Sequence, residues 1–109
     1  MQNNIIRSKK ILAASNGRSC VNCGREDGTI VRAHYSGYRS QSYGKGKGIK
    51  CHDHISADLC SVCHSKFDRY EGKQGRMTFN EKIDLSEQFL HCCMLTLARD
   101  FQEEVIICA

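Results

Sequence analysis

The chain has 109 residues and a net charge of +4, with eight cysteines, four phenylalanines, no proline and no tryptophan. A domain of this size is stabilised only marginally by its hydrophobic core, so cysteine chemistry is the expected supplement. A membrane span and a secreted, disulfide-bonded fold are both disfavoured. The richest apolar run, Phe89 to Ala98, falls short of the roughly 20 residues that cross a bilayer, and Met1 to Lys10 lack the apolar stretch and small-residue cleavage site of a leader.

The chain therefore reads as soluble and cytoplasmic, a setting in which Cys-x-x-Cys pairs are more often metal or redox sites than disulfides. Its charge is unevenly spread. Residues 1–52 hold ten Lys or Arg against two acids, a net +8, and residues 53–109 hold six against ten, a net −4. A basic half suits a polyanionic partner, most simply nucleic acid, although solvated surface charge is the plainer reading of composition alone.

In chain order, IIRSKKILAAS over residues 5–15 predicts a short basic helix stopped by Asn16-Gly17. CVNCGRED follows as a knuckle, in which Gly24 suits the turn that brings backbone amides to the sulfurs. TIVRA, from Thr29 to Ala33, predicts a strand ending at His34. SGYRSQSYGKGKGIK, residues 36–50, has no hydrophobic period and predicts a long loop. Its Arg39, Lys45, Lys47 and Lys50 are candidate phosphate contacts.

A second knuckle, CSVC, runs into HSKFDRYEG, which is free of breakers until Gly72 and puts His64 and Asp68 on one helical face. GKQGR is turn-like. From Asn80 to about Glu104, Leu85, Phe89, Cys93, Leu97 and Phe101 recur at spacing four, joined by Leu90, Met94, Ala98 and Val105, and predict a long amphipathic helix. Its apolar stripe serves either the chain's own core or a dimer.

Cys20-x-x-Cys23 and Cys60-x-x-Cys63, separated by 36 residues, form a strong four-thiolate pattern for zinc. Four thiolates also suit iron. Such a filled shell leaves no position for substrate, so the ion is expected to be structural. Cys51, Cys92, Cys93 and Cys108 have no paired pattern, and a second metal on Cys51, His52 or His54 is the lesser reading. His52, His54 and His91 read as loop or helix-surface residues, and Tyr35, Tyr38 and Tyr43 as stacking or scaffold rings.

Taken together, CVNC, VRAHYSG, the glycine-lysine loop ending in GKGKGIK, and CHDHISADLCSVCHSKFDR resemble the HNH, or His-Me finger, nucleases. These segments cover residues 18–70. Within that superfamily they look most like small phage and prophage proteins of the YbcO type. LAASNGRSC before the core and the long helix after it are similar in layout.

The resemblance implies a single α+β domain. It would comprise a zinc-stapled ββα-metal core over 18–70, a short N-terminal helix and a long C-terminal helix over about 80–104. It implies His34 as general base, with His64 and Asp68 as ligands of a catalytic Mg2+ or Mn2+ ion. Asp53 would orient the base or join the metal shell, and Arg32, Arg39, Lys45, Lys47 and Lys50 would neutralise DNA phosphates. The implied activity is metal-dependent DNA endonuclease chemistry linked to phage recombination or processing. Ala33 departs from the pattern, because many members carry a metal-binding Asp or His directly before the base. That departure favours the alternative of a zinc-stapled nucleic-acid-binding module without hydrolysis. A redox role for the Cys-x-x-Cys turns is the third reading.

Overall fold

The computed structural model describes residues 4–68 and 77–107. The GKQGR turn and the end of the HSKFDRYEG segment lie outside them. Among the described residues are helices α1 (Lys9–Ala13), α2 (Ser61–Phe67) and α3 (Phe79–Gln102) and strands β1 (Val31–His34) and β2 (Ser56–Leu59). A single 3-10 turn, Ser40–Tyr43, sits inside the long inter-strand loop. No helix among the described residues is long and apolar enough to cross a membrane.

The predicted N-terminal helix is a little over one turn long. Ser8 caps it by accepting the Ile11 N–H at 3.2 Å, and only Ile11 is buried. β1 pairs antiparallel with β2 in the register Val31↔Leu59, Arg32↔Asp58, Ala33↔Ala57 and His34↔Ser56. Local sequence gives no strand signal for β2, since Ser56 and Asp58 are poor strand formers. All four of its residues are nonetheless buried, and the polar pair draws partners remote in sequence, although the buried Asp58 Oδ1 has none. Ser56 Oγ accepts from Arg32 Nε at 2.6 Å, and Asp58 Oδ2 accepts from Arg18 at 3.1 Å and Arg99 at 3.0 Å.

α3 is started by a capping box. Thr78 Oγ1 accepts the Glu81 N–H at 3.1 Å, and Glu81 accepts the Thr78 N–H at 2.8 Å. The buried face runs Leu85, Ser86, Phe89, Cys92, Cys93, Thr96 and Asp100, so the expected stripe at spacing four holds only for its first half. At about 3.6 residues per turn, each step of four drifts some 40° around the axis. By Phe101, which is 42% exposed, the stripe has swung out to solvent along with Met94. Thr96 takes the inner position instead, accepting the Asp58 N–H at 3.1 Å and donating to the Cys92 carbonyl at 2.9 Å.

The core lies between the hairpin and α3. Phe67 stacks on Phe89 with centroids 5.1 Å apart, Tyr35 meets Phe89 edge-on at 5.3 Å, and the Tyr35 hydroxyl bonds Ser86 Oγ at 2.7 Å. Beneath the sheet runs a buried ion network. Arg32 grips Asp100 with two nitrogens at 2.9 and 2.6 Å, and Arg18 bridges Asp100, Asp58 and Glu103 at 3.1, 3.1 and 3.0 Å. A desolvated guanidinium that loses its carboxylate is far more costly than a broken surface pair. Asp100→Ala should therefore cost about 3–5 kcal/mol in urea unfolding; a loss below about 1 kcal/mol would show the network to be no stronger than surface pairs.

Candidate functional site

The sulfurs of Cys20, Cys23, Cys60 and Cys63 all lie within 4.8 Å of one another. Each knuckle is a tight turn. In the first, the Gly24 N–H reaches the Cys20 carbonyl at 2.9 Å, and Gly24 adopts φ +81°, which glycine alone takes without strain. In the second, Cys60 caps α2 and its sulfur accepts the Cys63 N–H at 3.5 Å. The Val21 N–H bonds the Asp58 carbonyl at 2.8 Å, joining the first knuckle to β2.

Cys23 Sγ and Cys60 Sγ are 3.7 Å apart, too far for a disulfide. A tetrahedral ion with bonds of about 2.3 Å has sulfur–sulfur edges of about 3.8 Å. The four cysteines could thus hold a metal ion such as zinc. Burial raises the Cys20 thiol, but backbone amides of Cys60, Cys23 and Asn22 outweigh it and bring it down to about 7. Burial pushes Cys63 up to about 12 against an Asn22 side-chain bond that lowers it. A divalent cation displaces thiol protons outright. Among the described residues this is the only group of three or more such side chains gathered closely enough to hold a metal together. The lesser grouping around Cys51 is not formed, because Cys51 is buried and its thiol donates to the Tyr35 carbonyl at 3.1 Å.

Beside the cluster, one pocket is lined by Arg32, Ala33, His34, Tyr35, Ser36, Lys45, Lys50, His64 and Asp68. The end of β1 supplies His34, the glycine-lysine loop Lys45 and Lys50, and α2 His64 and Asp68. His64 Nε2 and Asp68 Oδ2 are 3.4 Å apart, one helical turn from each other, and their side chains are 40% and 50% exposed. An imidazole and a carboxylate so placed could share an ion that keeps most of its waters, as Mg2+ and Mn2+ do.

His34 Nε2 lies 2.8 Å from Asp53 Oδ1. An ionised carboxylate only accepts, so Nε2 carries a proton in this bond, and whenever the ring is neutral its lone pair is on Nδ1. Asp53 is buried and accepts from the Ser8 N–H at 2.7 Å and Arg7 Nη1 at 3.2 Å as well. Burial pushes its carboxyl up, but the His34 and Ser8 hydrogen bonds and the charges of His34 and Arg7 hold it below its ordinary value. With its oxygens turned to these donors, Asp53 orients the imidazole; it does not line the pocket. Ala33 offers the pocket no donor.

The five basic residues do not act alike. Arg32 is 2% exposed with its guanidinium on Asp100, so it belongs to the core and not among the phosphate contacts. Arg39 is exposed, pairs with Glu87 at 3.3 Å, and lies outside the pocket. Lys45 and Lys50 line it, whereas Lys47 is an exposed loop residue outside the lining.

No local pattern announces the N-terminal strap. The Ile6 N–H bonds His52 Nδ1 at 3.0 Å, the Ile6 carbonyl accepts the Asp53 N–H at 2.9 Å, and Arg7 reaches the Cys51 carbonyl at 2.6 Å and the Lys50 carbonyl at 2.9 Å. These partners are more than 40 residues away, beyond any local pattern.

No family model, no curated protein and no solved structure matches the chain. The geometry therefore carries the functional argument.

A carboxyl whose folded value is depressed adds stability that is complete above its unfolded value and is lost as pH falls through the folded one. Asp53→Asn should lower stability at neutral pH and flatten the decline that wild type shows below about pH 4. Unfolding curves recorded down the acid limb test this; an unchanged limb would contradict the assignment.

Proposed function

We propose that the chain is a metal-dependent DNA endonuclease of the HNH type, built on a ββα core in which the four cysteines hold a structural zinc. One observation carries this reading: a single pocket gathers a carboxylate-oriented imidazole, a second imidazole with an acid one turn later, and two lysines. The β1–β2–α2 order and the histidines at the strand end and on the helix agree with the sequence resemblance.

In this reading Asp53 fixes the His34 tautomer and stabilises the imidazolium that forms when Nδ1 takes a proton from the attacking water. Lys45 and Lys50 neutralise the phosphate on either side of the scissile bond. His64 and Asp68 would hold a Mg2+ or Mn2+ ion, which when bound supplies charge stabilisation on the phosphate and leaving oxygens. The zinc shell, filled by sulfur, takes no part in hydrolysis.

Ala33 favours a second reading, a binding module that retains the fold without the chemistry, because the position before His34 supplies no ligand. Supercoiled plasmid separates the two. With Mn2+ or Mg2+ the protein should nick it, and His34→Ala should slow nicking by about 100-fold or more. His64→Ala should abolish the metal-dependent rate. Retarded plasmid that no divalent metal renders cleavable would establish the binding module instead.

The lysines and the zinc are tested separately. Replacing Lys45 and Lys50 together by alanine should reduce the salt dependence of DNA binding by about two units of slope. A strong chelator under reducing conditions should collapse the cooperative thermal transition; a transition that survives complete metal removal would exclude a structural ion.

A further inference from the structure

Between the two knuckles and α3 stands one side-chain amide. Asn22, half-buried in the turn of the first knuckle, donates through Nδ2 to Cys63 Sγ at 3.3 Å, a sulfur of the second knuckle 41 residues away. Its oxygen faces the other way. Oδ1 accepts from Gln88 Nε2 at 3.0 Å and from the Cys92 thiol at 3.7 Å. Gln88 and Cys92 are one turn apart on α3, so they share a face of that helix and converge on a single acceptor.

A bound cation sets the direction of this chain. An amide can present either end to a neighbour, but a thiolate on a metal carries no proton and only accepts. The NH2 end of Asn22 therefore belongs on Cys63, which leaves Oδ1 for α3 and requires Gln88 to donate. Turned over, the amide would set an oxygen lone pair against a sulfur lone pair. Charge gives the arrangement its worth. Four thiolates on a divalent ion carry an excess of negative charge, and Cys63 is only 5% exposed, so a protein donor serves where water has little access.

We propose that Asn22 is a positioning residue of the metal centre, held by Gln88 so that its amide hydrogen stabilises the Cys63 thiolate, and that α3 thereby governs how tightly the ion is retained. The inference rests on the four-thiolate zinc reading. It gives the middle of α3 a task beyond packing, since a movement that withdraws Gln88 frees the amide and loosens the ion.

The test is zinc affinity by competition with a chromogenic chelator, joined to the absorption spectrum of the cobalt-substituted full chain. Wild type should bind one zinc per chain. Asn22→Ala should bind it about 10- to 100-fold more weakly. A thiolate that loses its hydrogen bond also gives up an electron more readily, so the sulfur-to-cobalt charge-transfer band should move to longer wavelength. Gln88→Met, which lies outside the knuckle and carries the test if Asn22→Ala does not fold, should move both readouts the same way by less. The double variant should be no weaker than Asn22→Ala alone, because Gln88 acts only through Asn22. A role confined to packing would lower thermal stability and leave the band in place. Wild-type affinity with an unmoved band in both single variants would overturn the relay and leave the zinc site standing; wild type that binds no zinc would remove site and relay together.

Discussion

Four sulfurs meeting at one point is the constraint from which the rest of this chain takes its geometry. Cys20 and Cys23 sit on an irregular turn before β1, and Cys60 and Cys63 sit at the junction where β2 becomes α2. Bringing them together closes the loop that contains β1, the glycine-lysine segment and β2. It also fixes where α2 begins, because Cys60 is that helix's cap. His64 follows Cys63 directly, so its place over the end of β1 is set from the cluster outward. A two-stranded sheet with one long helix buries too little to hold such an arrangement by itself, and a metal bond at the cluster would supply folding energy where the core is thin.

A second clamp acts on the other side of the pocket and uses no metal. The loop carrying Asp53 is held by residues 6–8, which offer it an N–H, a carbonyl and a guanidinium. Asp53 is thereby buried as a carboxylate with its donors in place, and His34 inherits one ring orientation. The ion network of Arg18, Arg32, Arg99, Asp58 and Asp100 performs a similar office beneath the sheet, tying the first knuckle and both strands to α3. Charge is spent on fixing elements that have little apolar surface to pack, which explains why several acids and arginines of this chain are buried.

How much of this was legible beforehand follows from the range of each interaction. The knuckles, β1, the α3 helix and the shared face of His64 and Asp68 are local patterns of turn chemistry or period, and they stand where the sequence put them. The structure also brings His34, Lys45, Lys50, His64 and Asp68 to one pocket. β2 carried no local signal, because its polar residues are bonded by Arg18, Arg32 and Arg99 at separations of 24 to 41 residues. The same long range hides the place of Arg32, which the resemblance put among the phosphate contacts and whose guanidinium lies on Asp100, 68 residues away. The outward swing of Phe101 was readable in principle, since spacing four and a turn of 3.6 part company within a few steps.

The cysteine clasp is best read by X-ray absorption at the zinc edge on protein purified under reducing conditions. A structural zinc requires one ion per chain with a first shell of four sulfurs at about 2.3 Å and no lighter neighbours. A shell containing nitrogen or oxygen, or protein that folds cooperatively with no bound metal, would contradict it.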